Sequence, residues 1–291
     1  MSRYKLRANY DIENIDSQKM DGTVIVDVPM LSNGELNYGL SHIKKKLYEE
    51  NVYPSEIGFD IMSLATMVYM ADTRIERVVH GQDSWTREIE LEIPVSNVEI
   101  WDSQIRTVER MLKFLTGDLW KITLSSRAWQ FNNLEEVREK SNKYDEVSLF
   151  SGGMDSLIST INLMENKKNT LLISHAGEGL TKNAQKNIVN KFDLLYPDVL
   201  HTWLDLWMVF PRDYIPAGGN DNNTRSRSFL FIGYALFAMT GMDNINELLV
   251  PENGLIALNV PLDETRVGSF STRTTPVSYT HLRAHETSAH L

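Results

Sequence analysis

The chain has no cysteine among its 291 residues, which excludes disulfides, thiolate nucleophiles and Cys-ligated zinc. It also has no excess of positive charge: 29 Lys and Arg against 39 Asp and Glu give a formal net charge of -10. Generic nucleic-acid binding needs a basic surface, so that class is not expected, although a local basic groove stays open. Long hydrophobic runs are missing too. The most apolar one, Phe229 to Met239, is too short to cross a bilayer and reads as a buried helix. The N-terminus lacks the apolar stretch of a signal peptide, so a soluble cytoplasmic protein without membrane association is expected. Repeats and low-complexity segments are absent as well. What is present is an ordinary globular composition, 42% hydrophobic and 23% charged, with room for one large or two medium domains.

Two halves differ in pattern. Before residue 132 the expected strands are Thr23–Val28, Glu88–Val95 and Leu119–Leu124, with helices over Gly58–Met70 and Gln104–Leu115. Ile89, Leu91, Ile93 and Val95 alternate with charged or polar neighbours, as on a half-buried strand. Residues 1–131 therefore read as a small N-terminal α/β domain. Residues 132–144 are polar and highly charged, which suits a solvated helix or linker. From Asp145 the order becomes strand, helix, strand, helix: Val147–Phe150, a helix with Leu157, Ile158, Ile161 and Met164 on one face, Thr170–Ser174, Lys182–Leu195, Val199–Met208, Ser226–Met239 and Glu247–Val250. That alternation predicts a parallel sheet with helices on both faces, a Rossmann-like α/β fold. Ligands of such sheets bind at the carboxyl ends of strands.

The loop after Phe150 lies at such an end. It reads Ser151-Gly152-Gly153-Met154-Asp155-Ser156 and opens a helix. Paired glycines allow dihedrals that side chains forbid, so successive amides can close around an anion. The helix start adds unpaired donors and partial positive charge. Ser151 and Ser156 offer hydroxyls to phosphate oxygens. Asp155 would repel phosphate, so its expected part is to hold a magnesium ion that bridges phosphates. The loop contains no lysine, so it is not a kinase-type P-loop.

The S-G-G-x-D-S string resembles the PP-loop of the ATP pyrophosphatase superfamily, the adenine nucleotide alpha hydrolases. The resemblance implies ATP and Mg2+ as cofactors, a loop that grips the β- and γ-phosphates, and attack on the α-phosphate to give an adenylated intermediate and pyrophosphate. It implies an adenine contact at Ser174 and His175, the end of the second strand of this half. Arg225-Ser226-Arg227-Ser228-Phe229 looks like the R-N-x-x-F segment of the QueC branch, the 7-cyano-7-deazaguanine synthases, with Arg227 at the matching position. Arg227 would then neutralise charge on the α-phosphate. Glu252 and Asn253, in Pro251-Glu252-Asn253-Gly254, are further catalytic candidates that would orient the substrate or second nucleophile. Asn259-Val260-Pro261-Leu262 and residues 268–275 look like the QatC group, QueC-like proteins of the Qat anti-phage defence cassette. The resemblance thus implies adenylation of a carboxylate or amide, on a deazaguanine-type small molecule or a partner protein, for attack by a nitrogen nucleophile. Other subunits of a defence cassette would be partners. A tRNA-modifying or sulfur-transfer PP-loop enzyme, or a non-enzymatic nucleotide-binding subunit, stays as an alternative.

Two departures matter. The QueC branch carries zinc-binding cysteines near its C-terminus and this chain has none, so no zinc site is expected. Residues 276–291 hold three of the seven histidines, His281, His285 and His290, without any helix or strand period. That string resembles translated sequencing adapter, so a non-native tail is expected there, following a PP-loop domain of residues 145–275 that is cut short at its C-terminal end.

Overall fold

Alternation of burial shapes the first sheet. In β1 (Arg3–Asn9) Tyr4, Leu6 and Ala8 are buried, and in β6 (Glu88–Val95) so are Ile89, Leu91, Ile93 and Val95. The intervening Lys5, Glu90 and Glu92 turn to the other face, where Lys5 reaches Glu92 at 2.9 Å and Glu90 at 3.3 Å. The structure, a computed structural model, describes residues 3–82, 84–132, 139–175, 179–221 and 225–251, the Leu180 side chain excepted. Between β1 and β6 come β2 (Asp16–Met20), β3 (Thr23–Pro29), the short pair β4 (Leu31–Ser32) and β5 (Glu35–Leu36), α1 (Leu40–Glu49), α2 (Glu56–Arg74) and α3 (Arg77–His80). After β6 follow α4 (Val98–Asp102), α5 (Ile105–Thr116) and β7 (Leu119–Ser126). The five strands run in the order β2-β3-β1-β6-β7, parallel except for β2 against β3.

The second sheet belongs to the half that begins near Asp145. It is built from β8 (Glu146–Leu149), α6 (Met154–Glu165), β9 (Thr170–His175), α7 (Gly179–Leu195), β10 (His201–Leu206), α8 (Arg227–Met239) and β11 (Leu248–Leu249). All four strands are parallel, in the order β10-β9-β8-β11. Every residue of β9 is buried, as a strand covered on both faces requires. Leu172 joins Phe150, Phe192, Leu157 and Ile161 on the side of α6 and α7, while Leu171 and Ile173 face the larger core that contains α8. The whole is an α/β fold of mostly parallel strands flanked by helices, compatible with a Rossmann-like arrangement.

α2 and α8 join the halves. Thirteen-residue α8 packs on β8 and β9, α2 packs on β1 and β6, and the two helices pack on each other. Their contacts recur seven residues apart in opposite chain directions: Gly58 against Thr240, Ala65 against Gly233, and Asp72 against Ser226. Glycine is needed at both of its positions, since a Cβ on Gly58 would sit 2.1 Å from Thr240 Oγ1 and one on Gly233 2.8 Å from the Ala65 Cβ. One continuous core runs through both halves as a result, from Leu6 and Leu91 to Ile173 and Tyr234.

The sequence-based elements lie within a few residues of those observed. β1, β2, α1 and the short elements β4, β5, α3 and α4 are additional to those the pattern predicts. Residues 133–138 of the expected linker, and all of 252–291, lie outside the described residues, so the tail cannot be compared with its expectation. Among the described residues no helix is long and apolar enough to cross a membrane.

Candidate functional site

β8 and β11 are neighbours although they are the first and last described strands of their half, so chain direction across the sheet reverses between them. Open parallel sheets bind ligands at such a switch point, beyond the strand carboxyl ends. The Ser151–Ser156 loop leaves β8 at this place.

Its shape follows from a few contacts. Phe150 still donates its amide to Ile173 O at 2.8 Å, so the strand ends just before the loop. Gly152 has φ +79°, a conformation that L side chains rarely adopt, and a Cβ there would meet Gln185 Cγ at 2.7 Å. Gly153 caps α6 without a side-chain bond, and the first helical bond runs from Leu157 N to Gly153 O at 3.0 Å. The amides before Leu157 therefore take no part in the helix ladder. Ser156 Oγ accepts from Gly152 N at 3.1 Å and donates to Gly153 O at 2.9 Å. At 2% exposure this hydroxyl braces the loop from within, and Ser151, though exposed, also turns its hydroxyl to the loop, 3.2 Å from Ser156 Oγ and accepting from Gly153 N at 3.3 Å. Met154 is exposed, and Asp155 is half-buried in the first turn of α6.

The sequence pattern gave no sign of Gln185. It is 1% exposed, on α7, and donates to Ser151 O at 3.1 Å and Phe150 O at 3.4 Å. A trans peptide points its N–H opposite to its C=O. By holding these carbonyls, Gln185 fixes the two peptide planes that enter the loop, and the Gly152 amide points away from α7, to Ser156 Oγ at 3.1 Å. Only its neighbours in space reveal this, since at helix spacing Gln185 reads as one more polar position.

At the end of β9 the two residues diverge. Ser174 points toward α7, accepting from Trp203 Nε1 at 2.7 Å. His175 points to the other face, among Tyr69 of α2 and Phe231 and Tyr234 of α8, with ring centroids 5.8–6.2 Å away. Burial, helped by the Arg227 charge, lowers the His175 pKa to about 4, so the ring is neutral. Among the described residues neither ring nitrogen has a hydrogen-bond partner, and the buried Tyr234 hydroxyl and Ser226 Oγ have none either. Arg227 opens α8 beside it, half-buried, its guanidinium 5.9 Å from the Phe231 ring centre. The structure thus brings Ser174, His175 and Arg227 to the same sheet edge as the loop. Glu252 and Asn253 lie outside the described residues.

Behind α8 is a buried ionic network that the sequence showed only as a polar stretch after α2. Arg87 bonds Asp72 and Asp118 at 2.6 Å each, and Arg77 grips Asp118 at 2.6 and 2.8 Å. Burial alone would raise the Asp118 pKa, but the Arg87 and Arg77 bonds hold it below the usual range. Among the described residues no three His, Asp or Glu side chains converge as a metal centre. A magnesium ion carried by nucleotide phosphates needs only one or two protein carboxylates, and Asp155 fits that lesser requirement.

No family model matches the chain, and no curated protein or solved structure matches it.

Proposed function

We propose that the chain binds Mg-ATP on the Ser151–Ser156 loop and transfers adenylate to an acceptor carboxylate or amide, releasing pyrophosphate. The observation that carries the reading is the loop itself: a left-handed Gly152 between a parallel strand and a helix start, at the switch point of the sheet. Amides converging at a helix start favour a polyanion. Without a lysine to follow a transferred γ-phosphoryl group, such a loop suits holding a departing pyrophosphate. The resemblance to the PP-loop superfamily supports the same division of labour.

The amides of Met154 to Ser156, with the Ser151 hydroxyl once it turns from Ser156 Oγ, would bind the β- and γ-phosphates. Asp155 would hold the magnesium ion, which supplies charge neutralisation on the phosphates. Ser174 and His175 would flank the adenine, with Arg227 drawn to the α-phosphate as negative charge builds there. The acceptor oxygen attacks the α-phosphorus and the bond to the β-phosphate oxygen breaks. A nitrogen nucleophile then displaces AMP. The acceptor would be a deazaguanine-type molecule or a partner protein, and the setting anti-phage defence, by resemblance to QueC-like proteins.

The test is phosphate-product analysis of the full chain with Mg-ATP, candidate carboxylates and an ammonia or amine nucleophile. AMP and pyrophosphate are expected, and both should disappear in Asp155→Ala. ADP and orthophosphate as products, or release that Asp155→Ala leaves unchanged, would sink the mechanism.

A further inference from the structure

The loop lacks a cation, yet two stand near the same sheet edge. Asp205, next to the last residue of β10 and in register with Ser174, pairs with Lys46 of α1 and with Lys182 of α7, the latter at 2.5 Å. Burial alone would raise the Asp205 pKa, but the two ammonium groups hold it low. We propose that Lys182 is the missing phosphate ligand, held on Asp205 and released to the phosphate chain of a bound nucleotide. This rests on the reading of the loop as a nucleotide site.

Lys182 is free to move in a way Lys46 is not. Its side chain is 48% exposed against 23% for Lys46. When Lys182 leaves, Lys46 still neutralises Asp205, so no half-buried charge is stranded. Its place is otherwise unfavourable. It lies in the first turn of α7, which has no acidic residue there, and the positive end of a helix dipole repels an ammonium group. An anion at that end reverses the balance. Gln185, one turn further along α7, already holds the loop carbonyls, and positions three apart share a helix face. α7 therefore presents an amide brace and a mobile ammonium group to one ligand.

Calorimetric titration with Mg-ATP, inorganic pyrophosphate and AMP separates the possibilities. Lys182→Gln should weaken ATP and pyrophosphate by about tenfold or more, as one charge-assisted contact predicts, and leave AMP unchanged. Lys182→Arg should largely restore both. Lys186→Gln removes the same charge from an exposed site on α7 and should change nothing. Unaltered ATP affinity in Lys182→Gln, an equal loss for AMP, or the same loss in Lys186→Gln would overturn the assignment while leaving the loop reading intact. Failure of the unaltered chain to bind ATP at all would overturn both.

Discussion

The Asp72 carboxylate accepts the backbone amide of Ser226 at 3.0 Å with one oxygen and the Arg87 guanidinium at 2.6 Å with the other. A residue at the end of α2 thereby fixes the start of α8, where Arg227 emerges. Removing one carboxylate from a buried ionic set takes a close partner from Arg87, although Asp221 stands 3.7 Å from it. Asp72→Asn is expected to cost about 3–5 kcal/mol in denaturant unfolding. A loss below about 1 kcal/mol would show that the network does not bear on the fold.

The helix seam makes a second prediction, against simple propensity. Alanine is the better helix former by about 1 kcal/mol, so an exposed Gly58→Ala change would stabilise. Here the new Cβ would press on Thr240 Oγ1, which also accepts from Ser55 N at 3.1 Å and donates to Phe237 O at 2.8 Å. Overpacking of this kind costs about 1–3 kcal/mol, so net destabilisation is expected in thermal unfolding. A raised melting temperature would mean that α2 and α8 do not approach so closely.

His175 should leave a signature in stability against pH. Its pKa falls from the ordinary 6.5 to about 4 on folding, first through burial and then through Arg227. Between those values the unfolded chain binds the proton that the folded chain refuses. Stability is therefore full above pH 6.5 and falls as the pH drops toward 4, by on the order of 3 kcal/mol. Equilibrium unfolding from pH 4 to 8 measures the slope, and His175→Phe should flatten it. An unchanged slope in that variant would assign the effect to other groups.

Gln185 should govern the shape of the loop. Gln185→Leu keeps the bulk but frees the Phe150 and Ser151 carbonyls, so the peptide planes that seat Gly152 lose their anchor. ATP affinity should fall about tenfold, and stability by about 1–3 kcal/mol in denaturant unfolding, because buried acceptors lose their donor. Unaltered affinity would remove Gln185 from the site.

Local pattern made much of this fold legible. The alternation in β6, the buried run of β9 and the apolar faces of α5 and α7 each follow from short-range spacing, and those elements are where the letters place them. The loop was legible because its glycines and its strand-helix context are contiguous. Contacts across the chain were not. Arg77, Arg87, Asp72 and Asp118 look like ordinary surface charges in sequence, and only their mutual pairing lets them be buried. β1 was hidden for a related reason. Its Arg3, Lys5 and Arg7 suggest solvent, but they pair with Glu88, Glu90, Glu92 and Asp27 on neighbouring strands. Likewise Gln185 and Asp205 acquire meaning only from residues more than twenty positions away.

The proposed chemistry stands on nucleotide binding at the Ser151–Ser156 loop. Titration of the chain with Mg-ATP, beside Gly152→Ala, tests it directly. Alanine cannot easily hold φ +79°, and its Cβ would collide with Gln185. Saturable binding by the unaltered chain, lost in Gly152→Ala with the fold intact by circular dichroism, is the predicted result. Equal binding by both proteins, or none by either, would contradict it.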